Sequence, residues 1–341
     1  MSAIDVAHHL APMPDFRAFA DLKQQVLLQH PGVFDASETR LAPSLAGELP
    51  APESLPCPPV GHRCHVAEQW LECFGLPADW KPRALVSQGV RHSLQALLAH
   101  WARQDRRVAL PSDVYPVYLA LARTADCKLA TYASFPSFDA DVLDVADVLV
   151  VADPFKPRGT PLSAQEVHAI ERWLRAEAHR RVVVDAVYQF DTRLSESTSR
   201  LLATGQAIVL HSLSKGWASP LIAGIALVPE QDVAEFTSVF RPLEVDRRQL
   251  ALAQGLLSGD RGRPAHLAAV LRSREVELRQ ALQHRGIELP SADEIPGQYL
   301  FVAPLPWTQL LSRHGVLALP ASTFGSREAR FSIVSSLAPL R

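Results

Sequence analysis

The chain has 341 residues, 48% of them hydrophobic and 21% charged, with a formal net charge of −2. Such a length buries one large core or two smaller ones, and a near-balanced charge without a basic tail excludes nucleic acid and acidic membrane as the main partner. A small molecule remains.

Residues 1–45 are expected to be an N-terminal segment that packs with the C-terminal part. Eight prolines fall between Pro43 and Pro82, so that stretch should be loop-rich, with one helix near Val66–Phe74. The cluster His62-Arg63-Cys64-His65 invites a metal, but no second ligand pair at zinc-like spacing follows, and packing residues are the simpler expectation. Cys57, Cys64, Cys73 and Cys127 form no C-x-x-C pair, and no signal-peptide pattern or bilayer-length apolar run is present. The expected setting is a reduced cytoplasm.

Beyond the prolines, short apolar runs alternate with amphipathic segments. Arg83–Ser87 is strand-like and leads through Gly89 into a helix near Arg91–Arg103. Further strands are expected at Val108–Leu110, Lys128–Tyr132, Val148–Ala152, Arg181–Asp185, Ala207–Leu210 and Ile222–Val228. Several are unbroken apolar runs, as in a sheet covered on both faces. Ser163 and Glu166 have capping-box spacing, and Val167, Ile170, Leu174 and Ala178 continue at helical intervals. Strands alternating with helices imply an α/β domain with a mostly parallel sheet, over 46–230. Gln231–Arg285 reads as long helices with a break at Gly255–Pro264. Strands at Gln298–Val302, Val316–Leu319 and Ala329–Val334 then complete a smaller α+β domain within 231–341.

In an open α/β sheet ligands gather at the carboxyl ends of strands. Asp185 stands where one apolar run ends, with Tyr188 three residues on; taken alone, a helix-capping aspartate and a packing tyrosine explain the pair equally well. The next run ends in His211-Ser212-Leu213-Ser214-Lys215, one lysine among apolar and hydroxyl residues. A lysine in apolar sequence is disfavoured unless its charge is used or its pKa lowered. A desolvated lysine is a nucleophile toward carbonyls.

Asp185-Ala-Val-Tyr188 and Ser212-Leu-Ser214-Lys215 together resemble the D-x-x-Y and S-x-S-K motifs of fold-type I pyridoxal-phosphate enzymes, in the class I/II aminotransferase superfamily that includes histidinol-phosphate aminotransferase. The resemblance spans roughly Gly32 to Ser335. Val108-Ala-Leu-Pro-Ser-Asp-Val-Tyr115-Pro-Val-Tyr118 looks like V-L-V-P-S-P-T-Y-P-G-Y, and Asp153-Pro-Phe-Lys156-Pro-Arg158-Gly159 is similar to N-P-N-N-P-T-G. Ser87-Gln-Gly89-Val90-Arg91 looks like the family's glycine turn, and Ala329-Arg330-Phe-Ser332 matches a late x-R-x-S.

The resemblance implies an aminotransferase that moves an amino group between an amino acid and a 2-oxo acid. Lys215 would hold the cofactor covalently and carry protons, Asp185 would keep its ring nitrogen protonated, and Tyr188 would bond its 3-oxygen, as would the residue at Lys156. Tyr115 would stack on its ring; Gly89, Val90, Arg91, Ser212 and Ser214 would cradle its phosphate. Arg330 would grip the substrate carboxylate, a homodimer is implied, and the segment Glu38-Thr39-Arg40 would line the substrate pocket. A decarboxylase, lyase, cyclase or oxidase of the same fold, in a biosynthetic pathway, is the alternative; a binding protein that has lost turnover is a third. The chain departs from the family at Ala223, where an arginine usually contacts the phosphate, and at Lys156, where an asparagine is usual; no clear match exists for the tyrosine usually lent by the partner. Arg91 or Arg158 is the expected replacement for the lost charge.

Overall fold

The computed structural model describes residues 16–45, 58, 60–114, 117–190, 192–219, 221, 223–242, 244–290, 298–326 and 330–337. In chain order, α1 (Phe16–Gln29), β1 (Phe34–Asp35), α2 (Leu41–Ser44) and α3 (Arg63–Cys73) lead to β2 (Ala84–Ser87), α4 (Val90–Arg103), β3 (Arg107–Pro111), α5 (Val117–Thr124) and β4 (Lys128–Tyr132). There follow β5 (Val148–Ala152), α6 (Ala164–Ala176), β6 (Arg181–Asp185), α7 (Glu196–Ala203), β7 (Ala207–Ser212), α8 (Leu213–Gly216) and β8 (Gly224–Leu227). Helices α9 (Val233–Phe240), α10 (Arg247–Gly259) and α11 (Arg263–Gln283) precede β9 (Leu300–Ala303), α12 (Trp307–His314), β10 (Val316–Leu317), β11 (Leu319–Pro320) and β12 (Ser332–Ser335).

Seven strands form one sheet in the order β2-β8-β7-β6-β5-β3-β4, and only β8 runs against its neighbours. The apolar runs of β5 and β7 are buried along their whole length, which is why they lack the polar alternation of a one-sided strand. Register brings the site together: Ala152 at the end of β5 pairs with Asp185 at the end of β6, and Asp185 pairs with Leu210 in β7. Three neighbouring strands therefore discharge their loops over one place.

The expected break at Gly255–Pro264 is shorter in the structure. Gly255 and Gly259 stay within α10, and Pro264 occupies the first turn of α11, where its missing N–H costs nothing. The break reduces to Asp260–Gly262. Residues of α9 and α10 join the apolar core of the large sheet. A second core gathers Phe19, Leu22 and Leu41 with Tyr299, Ile333, Phe190 and Ala218, so the N-terminal helices close over the loops that leave β6 and α8. A separate small sheet runs β11-β12-β9, and β1 pairs in parallel with β10.

One buried carboxylate fixes the loops that follow β5 and β6. Asp153, 0% exposed, accepts bonds from Leu162 N at 3.0 Å, Thr198 Oγ1 at 2.9 Å and the hydroxyls of Ser195 and Ser197. Gln189 Nε2 adds a donor to the Asp153 carbonyl at 2.8 Å. Asp153→Ala strands these donors in a dry interior and is expected to cost about 3 kcal/mol. By contrast Ser163→Ala, which opens the capping box on Glu166 at the start of α6, should cost only about 1 kcal/mol; urea unfolding of both variants measures the ranking.

Candidate active site

Gly89 carries the chain from β2 into α4 at φ 91°, a left-handed conformation that favours glycine. A Cβ on Gly224 of β8 would lie 2.7 Å from the Gly89 Cα and 2.3 Å from the His211 carbonyl, and one on Gly89 would meet Ser212 Oγ at 3.4 Å. Two glycines thus let β2, β8 and the end of β7 converge. No side chain caps α4, and Gly89, its N-cap residue, stands beside Ser212, so the hydroxyl lies at a positive helix end. Ser212 Oγ lies 2.9 Å from Ser214 Oγ and accepts from Ser214 N at 3.3 Å. The assembly is rich in donors and suited to an anion.

Lys215 stands in the single turn of α8 directly after β7. Among the described residues its Nζ has no hydrogen bond and no ion pair. Burial first, and then the positive charge of Arg91, push its pKa down. Asp185, 6% exposed, accepts Val187 N at Oδ1, 3.0 Å away, and the Tyr118 hydroxyl at Oδ2. Burial raises the Asp185 pKa to about 6 although both bonds favour the carboxylate. Burial and the neighbouring carboxylate push the Tyr118 phenol up, so the shared proton stays on the tyrosine.

Lys156, on the loop after β5, is a second buried amine, 5% exposed. Its Nζ donates to Gln298 Oε1 and lies 5.0 Å from the Tyr188 ring centre and 5.4 Å from that of Tyr299. Burial lowers its pKa to about 7 against a weak pull upward from Glu275. The two phenols touch, Tyr299 OH donating to Tyr188 OH at 3.3 Å. Gly159, at φ 78°, makes room for Gln298, whose Nε2 would lie 2.0 Å from a Cβ there.

Arg158 does not supply the charge missing at Ala223. Its guanidinium grips Glu166 at 2.8 and 3.0 Å and the Ser134 carbonyl at 3.1 Å. Burial opposes ionisation of Glu166, yet Arg158 and the N–H groups of Ser163 and Phe138 hold its pKa down to about 2. Arg91 is the cation that acts on Lys215. Tyr115 lies outside the described residues. Arg330 is exposed just ahead of β12, next to Phe331, whose ring packs on Phe135 at 4.5 Å. Glu38 turns back on its own segment, accepting from Thr39 N and Arg40 N and pairing with the Arg40 side chain at 3.0 Å. Among the described residues no group of three or more His, Cys, Asp or Glu side chains could hold a metal.

Sequence reasoning missed three residues of the site. Tyr118 lay in a quoted motif, and its place at the start of α5, facing the end of β6, gives it a task. Gln298 and Tyr299 carried no signal, because only folding brings them beside Lys156.

The family described as "Aminotransferase class I and II" matches residues 63–337. The chain belongs to that family. Its members are pyridoxal-phosphate-dependent transferases, and the chain is accordingly a transferase of the aminotransferase class. Solved structures share the fold at low identity. A methionine aminotransferase of Escherichia coli is 16% identical with TM-score 0.71, covering 92% of each chain. N-succinyldiaminopimelate aminotransferase of Mycobacterium tuberculosis is 20% identical with TM-score 0.68, over 98% of this chain and 96% of that one. Aspartate aminotransferase of Thermotoga maritima is 13% identical with TM-score 0.71, over 95% and 93%. No curated protein matches in sequence. The donor set fits the family's cofactor: a glycine-lined cradle with two hydroxyls for a phosphate, a buried carboxylate for a ring nitrogen, and an amine that has no counter-ion among the described residues for a carbonyl.

The lowered pKa of Lys156 has a thermodynamic signature. The folded protein holds this proton less tightly than the unfolded chain between about pH 7 and the ordinary lysine value of 10.5. Stability linked to Lys156 is therefore poorest below pH 7 and improves as pH rises through that window. Lys156→Met lacks the penalty, so its melting temperature, measured without cofactor, should exceed that of the wild type most at pH 6 to 7 and lose the advantage toward pH 10.

Proposed function

We propose that this enzyme transfers an amino group between an amino acid and a 2-oxo acid in a biosynthetic pathway, as a cytoplasmic homodimer that holds pyridoxal 5′-phosphate at the ends of β5, β6 and β7. The observation that carries the proposal is Lys215: a partly buried amine that has no acceptor among the described residues, one strand from the buried carboxylate of Asp185. When bound, the cofactor supplies an aldehyde for the amine to attack and a protonated ring that withdraws electrons from the substrate.

The chain's own residues do the rest. The lowered pKa of Lys215 enlarges its uncharged fraction at neutral pH, the form that attacks a carbonyl and accepts a proton from carbon. Asp185 would hold a protonated ring nitrogen, with the Tyr118 hydroxyl and Val187 N favouring its ionised state against the cost of burial. Gly89, Val90, Arg91, Ser212 and Ser214 would hold the phosphate, Arg91 providing the charge that Ala223 does not. Tyr115 would cover the ring, Tyr188 would bond the 3-oxygen, and Arg330 would take the substrate carboxylate by its planar fork.

Purified protein mixed with pyridoxal phosphate should develop visible absorbance, and borohydride should then attach the cofactor irreversibly to Lys215. In Lys215→Ala the trapping should vanish; retained trapping there would refute the assignment. Single amino acids should bleach the band and yield the matching 2-oxo acid, whereas bleaching accompanied by carbon dioxide, ammonia or hydrogen peroxide would mark a different reaction on the same site. Sedimentation of the protein tests the dimer.

A further inference from the structure

Lys156 is a buried amine with no buried carboxylate bonded to it among the described residues. The nearest carboxylate influence comes from Glu275 on α11, which is itself paired with Arg279 at 2.8 Å. The other groups facing the amine are the phenols Tyr188 and Tyr299 and the neutral amide of Gln298. An ammonium has three N–H donors, and among the described residues one is engaged, by Gln298. Two donors and a charge are thus held in a dry place with ring faces as their other company, an arrangement that is costly unless an anion arrives.

Sheet order says which anion. The anion cradle of Gly89, Ser212 and Ser214 lies on the β7–β8–β2 side of Asp185, while Lys156 leaves β5 on the opposite side. On the pyridoxal ring, the phosphate arm and the phenolic oxygen occupy the two carbons flanking the one that carries the aldehyde. With the ring nitrogen on Asp185 and the phosphate in the cradle, the phenolic oxygen faces β5.

We propose that Lys156 is a positioning residue that supplies a positive charge to the phenolic oxygen of the cofactor, with Gln298 fixing the amine in place. The inference rests on the cofactor proposed above. It gives Lys156 a stronger effect than a neutral amide would have, because a cation favours the ionised oxygen by its charge as well as by its N–H bond, whereas an amide offers the bond alone. The coupling is mutual: an anion beside Lys156 draws its pKa up from about 7 and keeps it charged at neutral pH.

The test uses two cofactor analogues that cannot bond covalently to Lys215: pyridoxal phosphate with a methyl group in place of the aldehyde, and the same compound also lacking the phenolic oxygen. Calorimetry should show Lys156→Gln binding the first analogue about tenfold more weakly than the wild type, as for loss of a charge-assisted hydrogen bond. Its affinity for the second should be unchanged. In holoenzyme, the pH midpoint of the visible band should rise in Lys156→Gln, since the cation that favoured the more negative state is gone. Equal binding of both analogues by wild type and variant, or equal weakening of both, would overturn the role of Lys156 while leaving the cofactor in place. A wild type that binds neither analogue overturns the cofactor and this role together. Should Lys156→Gln not fold, Lys156→Met gives the same comparison.

Discussion

Everything at the site depends on the register of three parallel strands. Ala152, Asp185 and Leu210 stand level across β5, β6 and β7, and each strand then releases a different chemical group: an amine from the first, a carboxylate from the second, hydroxyls and a second amine from the third. A slip of one residue in β6 would turn Asp185 to the other face of the sheet. The fully apolar strands fix that register by burial on both faces, and Asp153 and its hydroxyl donors fix the loops just beyond it.

The electrostatics follow from this geometry. The ends of three neighbouring strands bring two lysines, Lys156 and Lys215, to the two sides of the buried Asp185, with Arg91 acting on Lys215 from the start of α4. Burial depresses both lysines and raises the aspartate, so each group is moved toward its neutral form. The proposed cofactor, doubly negative with a protonated ring nitrogen, would reverse that balance by offering the cations an anion and Asp185 a proton donor. Arg158 shows the contrast: locked to Glu166, it is structural, although its place in the sequence beside Lys156 suggested a role toward the phosphate.

Much of this was legible in the sequence because the signals were local. Lys215 and Asp185 each close a continuous apolar run, and burial strands with a polar end are recognisable without knowing their neighbours. Gly89 was readable as a turn into a helix, though not as half of the close approach with Gly224, which needs two strands from distant parts of the chain. Gln298 could not be read at all, since its partner Lys156 is 142 residues away and neither residue type announces a buried pair. Glycine and proline exaggerate the helix break in the sequence, because Gly255 packs inside α10 and Pro264 sits in the first turn of α11, where a helix accepts it.

The pairing of β1 with β10 carries a consequence for how the polypeptide is made. Phe34 pairs with Val316 and Asp35 with Leu317, and Ala36 accepts a bond from Ser335 N at 2.8 Å. During synthesis β1 thus has no strand to join until Val316 and Leu317 have been made. During translation the large sheet, whose strands all lie between residues 84 and 227, can assemble while the amphipathic helix α1 waits with its apolar face uncovered.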